Sequence, residues 1–206
     1  MEFYETVARR RDTRAEFTGR PPSPEVLERI LAAAHRAPSV GMSQPWVFVT
    51  VHAEETRRRF RDHVASEREV FAGQLAGERS ETFSRIKVEG IVESGLGVVV
   101  GYDPTTAGEQ VLGRHAISET GLWSVCLAIQ NLWLAATAEG IGVGWVSFFR
   151  EPFLADLVGF PAHVRPVAWL CVGEVEGLPE VPDLERFGWR GRAPLASVLH
   201  GERYGG

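Results

Sequence analysis

Ser118-Glu119-Thr120-Gly121-Leu122-Trp123-Ser124-Val125-Cys126-Leu127-Ala128-Ile129-Gln130-Asn131-Leu132-Trp133-Leu134-Ala135-Ala136-Thr137-Ala138-Glu139 is the most hydrophobic element of the chain, and its reading decides how the rest must fold. Leu122, Trp123, Val125, Cys126, Leu127, Ile129, Leu132, Trp133, Leu134 and Ala135 place apolar groups almost all round a helix. A helix without a polar face has to be buried. Its length also admits a membrane span. Ser124, Gln130, Asn131 and Thr137 interrupt the run, however, and neither stop-transfer charges nor aromatic belts flank it, so it reads as a central core helix and no membrane partner is expected. One domain rarely hides such a helix alone, which makes a homodimer the favoured state.

Working outward, Gly140 ends the helix, and Ile141 to Phe149 reads as a strand. Gly142 and Gly144 permit close approach of another segment there, and Ser147 is the small polar exception in an apolar run. Pro152 to Val158 reads as a short helix and Val167 to Val172 as the last core strand. Upstream, Trp46 to Val51 and Leu96 to Tyr102 are strands. A helix is signalled by Ser23 as N-cap and Pro24 at the first helical position, with the face Val26, Leu27, Ile30, Leu31 and Ala34. Phe3 to Arg11 reads as a short N-terminal helix, and Glu54 to Gly77 as one or two exposed helices. Glu78 to Glu89 reads as a mobile charged cover, with Val88 and Ile91 as apolar islands beside it. Residues 1–206 are expected to form one α/β or α+β domain, with 174–206 as an extended C-terminal tail.

Composition narrows the function. A net charge of -5 and a sequence pI of about 5.7 argue against a nucleic-acid partner, because such proteins carry a basic stripe. The two cysteines, Cys126 and Cys171, sit in apolar runs, as expected of buried, reduced thiols in a cytoplasmic protein. No secretory leader is visible at Met1-Glu2-Phe3-Tyr4-Glu5. The six histidines are scattered, so no metal site is expected. There is no G-x-S-x-G elbow, no Walker loop, and only half a dinucleotide motif at Gly142-Val143-Gly144.

Two stretches remain as candidate sites. Arg9-Arg10-Arg11-Asp12-Thr13-Arg14 gathers guanidinium groups able to hold a phosphate, although cations closing a helix would look the same. Asp12 would oppose a phosphate if it faced the same way, so it is expected to point elsewhere. Ala37-Pro38-Ser39-Val40-Gly41-Met42-Ser43-Gln44-Pro45-Trp46 is a loop of small and amide residues whose backbone can approach a ligand, or else an ordinary connection. Gly188-Trp189-Arg190-Gly191-Arg192 adds two further guanidiniums. Arginines, a Ser/Gly/Gln loop and a glycine strand with one serine suit a flat aromatic cofactor bearing a phosphate.

On Arg-Arg-Arg-Asp-Thr-Arg, Ala-Pro-Ser-Val-Gly-Met-Ser-Gln-Pro-Trp, Asn-Leu-Trp-Leu-Ala-Ala-Thr-Ala-Glu-Gly and Gly-Val-Gly-Trp-Val-Ser, the chain resembles the nitroreductase superfamily. Asp12, where serine is commonest in that superfamily, together with Ser147 in Gly-Trp-Val-Ser, is similar to its flavin-destroying branch. The resemblance implies an α+β fold with a central mixed or antiparallel sheet flanked by helices, and a domain-swapped homodimer with FMN at the interface. It implies oxygen-dependent fragmentation of reduced FMN to 5,6-dimethylbenzimidazole, a cobalamin ligand, and D-erythrose 4-phosphate, with a separate reductase supplying FMNH2. By position, Arg10 and Arg14 would hold the phosphate and polar edge of FMN, with Arg11, Asp12 and Thr13 lining the same turn. Gly41 would meet the flavin, Val88 would sit in a lid, and Arg190 would add a cation. Asp12 would act as a base or proton shuttle toward the ribityl hydroxyls, and Ser147 would hydrogen-bond the ring. The plainer alternatives are an ion pair that merely holds Arg10 or Arg14, and a hydroxyl satisfied by strand backbone. The rival functions are an FMN-dependent NAD(P)H nitroreductase or quinone reductase, and a non-catalytic flavin carrier.

Overall fold

The computed structural model describes residues 2–205. Its centre is one antiparallel sheet in the order β1-β2-β4-β3, built from β1 (Trp46–Val51), β2 (Leu96–Tyr102), β3 (Ile141–Val146) and β4 (Arg165–Glu174). Period-two alternation sorts the sheet's side chains onto two faces. Leu96, Val98, Val100, Val143, Ala168, Leu170 and Val172 enter one core, and Val51, Val99, Val146, Trp169 and Cys171 enter the other.

The first core is closed by α2 (Pro24–His35) and α5 (Thr120–Ala138). The Ser23 side chain caps α2 by accepting from the Val26 amide at 3.3 Å. Ile30 and Ala34 of α2 meet Val125, Ala128, Ile129, Leu132 and Ala136 of α5. Asn131 donates to the Ala33 carbonyl at 3.1 Å, so one polar interruption of α5 ties the two helices together. The second core is closed by α3 (Glu54–Ala72), a single helix, and α6 (Glu151–Val158), through Phe60, Val64 and Leu154. Trp169 lies flat against Phe60 at 4.1 Å, and only a glycine at Gly97 leaves room for its ring.

Three sequence expectations are corrected. The N-terminal helix α1 spans Phe3–Arg9, and its apolar residues Phe3, Tyr4 and Val7 are exposed, because the chain leaves the helix at Arg10 to run beside β3. Cys126 is exposed, whereas Cys171 is buried and its thiol is pushed up to about 12 by that burial. β3 ends at Val146, so Ser147 lies beyond the strand. The charged cover contains a short helix, α4 (Glu78–Ser84). Beyond β4 the chain includes α7 (Asp183–Arg186), and residues 190–205 are exposed.

Helix α5 is long and apolar enough to cross a membrane by composition, yet half of it is buried in the fold. Trp123, Cys126, Leu127 and Gln130 form one exposed stripe at spacings of three and four. Its apolar character on all sides is thus only partly explained within one chain.

Candidate active site

The glycines of β3 decide where the arginine cluster goes. The Thr13 amide donates to the Val143 carbonyl at 2.9 Å, and Asp12 forms a parallel bridge with Val143, so residues 12 and 13 lie along the open edge of β3. A side chain at Gly144 would run into the Thr13 carbonyl and the Arg14 guanidinium, and one at Gly142 into Thr13, Phe17 and Val175. The half dinucleotide motif is therefore a seat for another segment of backbone.

On that seat the arginines divide their work. Arg14 is buried; it donates to the Thr13 carbonyl at 3.1 Å and the Trp145 carbonyl at 2.5 Å, and pairs with Asp12 Oδ2 at 2.6 Å. Arg11 donates to the carbonyls of Ala8, Arg10 and Glu180, and the Trp133 indole of α5 donates to the Arg11 carbonyl at 3.0 Å. Arg10 lies over the Trp133 ring at 4.9 Å, a cation–π contact, and forms no ion pair among the described residues. Desolvation, then repulsion from Arg11 and Arg192, lowers its pKa against the pull of Asp12.

Both oxygens of Asp12 are engaged by groups other than Arg10. Its Oδ1 accepts from the Trp145 amide at 2.9 Å while Oδ2 faces Arg14. Desolvation raises its pKa above the ordinary aspartate value, partly offset by Arg14, the Trp145 N–H and Arg10. The side chain keeps 47% of its surface open, on the side of a cavity of about 300 Å³. A carboxyl drawn toward its neutral form beside open space is suited to exchanging a proton with a bound molecule.

The cavity brings together Arg10, Arg11, Asp12, Arg14, Val88 and Ser147. Three other candidates lie outside its lining. Thr13 is fully buried with its hydroxyl unpartnered; Gly41 packs on Val111 and Leu112 with φ +55°; and Arg190 is exposed while its amide donates to the Leu184 carbonyl. Arg192 lines the cavity, two residues from Arg190. Trp145, Phe148 and Leu184 supply flat and apolar walls, and Lys87 a further cation paired with Glu93 at 2.7 Å. Arg192 was visible in sequence only as half of a two-arginine segment, and Lys87, Phe148 and Leu184 carried no signal because no motif marks a residue that a fold delivers from far away. Among the described residues no group of three His, Cys, Asp or Glu side chains is placed to hold a metal.

This fold belongs to a known class: residues 7–174 match the nitroreductase family, and the chain is a member of that oxidoreductase-type family of enzymes. It is 39% identical to the 5,6-dimethylbenzimidazole synthase of Rhodospirillum rubrum, covering 90% of this chain and 87% of that protein. It is 33% identical to the synthase of the same name from Rhodobacter capsulatus, covering 92% and 91%. In structure it resembles an iodotyrosine deiodinase bound to FMN and 3-iodo-L-tyrosine, with a TM-score of 0.74 at 22% identity, covering 94% and 97%.

Proposed function

We propose that this protein is a 5,6-dimethylbenzimidazole synthase acting on FMNH2 and oxygen in the cytoplasm. The observation that carries the reading is Asp12, a carboxylate of raised pKa fixed by Arg14 and the Trp145 amide yet open to a cavity flanked by unpaired arginines. The likeness to the two synthases supports it.

The residues present fit FMN. Arg10 and Arg192, which form no ion pair among the described residues, would take the phosphate. Arg14, with both terminal amino groups engaged by Thr13, Trp145 and Asp12, would act by holding Asp12 rather than the phosphate itself. Trp145, Phe148, Val88 and Leu184 would enclose the flat ring. Reduced FMN supplies the electrons and the carbon skeleton, and reacts with oxygen without a metal. Asp12 would take a proton from a ribityl hydroxyl, assisting the carbon–carbon cleavage that frees erythrose 4-phosphate. Arg14 and the Trp145 N–H keep the carboxylate oriented through that transfer. Ser147 would donate a hydrogen bond to the ring edge.

Two copies would complete the site. The exposed apolar side chains Trp123 and Leu127 of α5, together with Met42, Leu112 and Ile117, would be covered by a second copy. A domain-swapped homodimer with FMN at its interface would also give Gly41, outside its own chain's cavity, a flavin to meet across the interface. Trp123→Glu is expected to halve the mass measured by light scattering and to weaken FMN binding about tenfold or more; a dimer of unchanged affinity would refute this arrangement.

The decisive experiment loads the protein with FMNH2 under nitrogen, admits oxygen and follows products by mass. Dimethylbenzimidazole and erythrose 4-phosphate are expected, with a separate reductase needed for repeated turnover. Recovery of intact FMN would overturn the reading, and steady NAD(P)H consumption with a nitro acceptor would favour a nitroreductase. Ser147→Gly is expected to leave FMN binding intact while slowing product formation about tenfold or more. An unchanged product profile would remove Ser147 from the mechanism.

A further inference from the structure

Ser147 follows the last residue of β3 and lines the cavity without a hydrogen-bond partner among the described residues, so the backbone of the segment after β3 sets where its Cβ, and with it the reach of its hydroxyl, lies. The segment from Ser147 to Arg150 has no strand ladder to hold it. Phe148 meets Phe71 edge-on at 5.7 Å, and Phe149 meets Phe60 at 5.9 Å. At the far end the Arg150 amide donates to His63 Nε2 at 3.0 Å. The His63 ring stacks on Phe153 of α6 at 3.8 Å and 8°. One turn further along α3, Glu67 holds the Arg150 guanidinium through contacts of 2.9 and 2.8 Å.

We propose that His63 is a positioning residue: as a neutral imidazole accepting from the Arg150 amide, it holds the far end of the Ser147–Arg150 segment and so sets the Ser147 hydroxyl in the cavity. This rests on the reading of Ser147 as the group facing the flavin. Nε2 accepts only when the proton of the neutral ring sits on Nδ1. Protonation makes Nε2 a donor pointed at a donor, and the bond is lost.

The charged groups acting on the ring are Glu67 from α3 and Arg150 from the segment after β3; Phe153, from α6, is uncharged. Burial lowers the His63 pKa most, Glu67 opposes it and Arg150 adds to it, leaving it below the ordinary 6.5. The unfolded chain therefore takes the proton first. The clamp contributes stability above the ordinary histidine value and loses it as pH falls through the lowered folded value.

The clamp is tested in flavin-free protein by following the Arg150 amide and the His63 ring together by NMR across pH. The amide shift is expected to titrate with the ring's midpoint; an amide that ignores the ring overturns the proposal. In the flavin reaction, His63→Leu is expected to lower kcat about fivefold with the KM for FMNH2 within about twofold. His63→Gln, which keeps an acceptor but cannot titrate, restores most of that rate and removes the component of the acid limb at the His63 midpoint, leaving any limb due to Asp12. An unchanged kcat in His63→Leu, or kcat and KM degrading together with a lowered Tm, sinks the proposal. Because the NMR arm needs no turnover, a titrating clamp without flavin products would count against the proposed reaction and not against the clamp.

Discussion

Replacing Asp12 by Asn is expected to cut flavin fragmentation about 10²–10⁴-fold, the span of a general base, while FMN still binds. Asparagine keeps the shape and its one oxygen can still accept from the Trp145 amide, but its NH2 group then faces Arg14 in place of the second carboxylate oxygen, and it cannot take a proton. The same carboxyl predicts the pH dependence. A base must be ionised, and desolvation raises the Asp12 pKa, so activity should fall in acid at a pH above the ordinary aspartate value. That limb should vanish in Asp12→Asn. Fragmentation at the wild-type rate would reduce Asp12 to an ion pair whose task is to hold Arg14.

Gly144→Ala is expected to have the largest effect on stability. Its methyl would overlap the Thr13 carbonyl and the Arg14 guanidinium, neither of which can retreat, because Thr13 is bonded to Val143 and Arg14 is held by three oxygens. Overpacking of this kind costs about 1–3 kcal/mol, and here it would also displace Asp12 from the Trp145 amide. The measurements are the urea midpoint and FMN affinity. Gly159→Ala is the contrasting case: Gly159 closes α6 at φ +71° with nothing in the way of a side chain, so it should cost stability without affecting flavin. A Gly144→Ala variant that binds FMN normally would mean that β3 does not seat the cluster.

These expectations show which parts of the molecule were legible along the chain. The α2 start at Ser23-Pro24 follows from local chemistry, as do β1 and β2, whose ends at Trp46, Val51, Leu96 and Tyr102 coincide with the hydrophobic runs. The Arg9–Arg14 cluster was visible because it gathers four guanidiniums in six residues, although a helix end closed by cations would look the same. Which arginine is left without a protein partner was not visible. That depends on carbonyls of Trp145 and Glu180, more than 130 residues away, which occupy Arg14 and Arg11 and leave Arg10 free.

The sequence by itself determined α2, the strands β1 and β2, the apolar helix α5 and the presence of an arginine cluster, because these follow from periodicity, capping and side-chain charge within a few residues. Only the tertiary structure decided that Gly144 is empty so that Arg14 can enter, and that Asp12 faces Trp145 and Arg14. It likewise decided that Arg192 rather than Arg190 reaches the cavity, and that one stripe of α5 remains uncovered. Each of these is a contact between distant segments, fixed by register and steric fit, and no local pattern of residues carries that information.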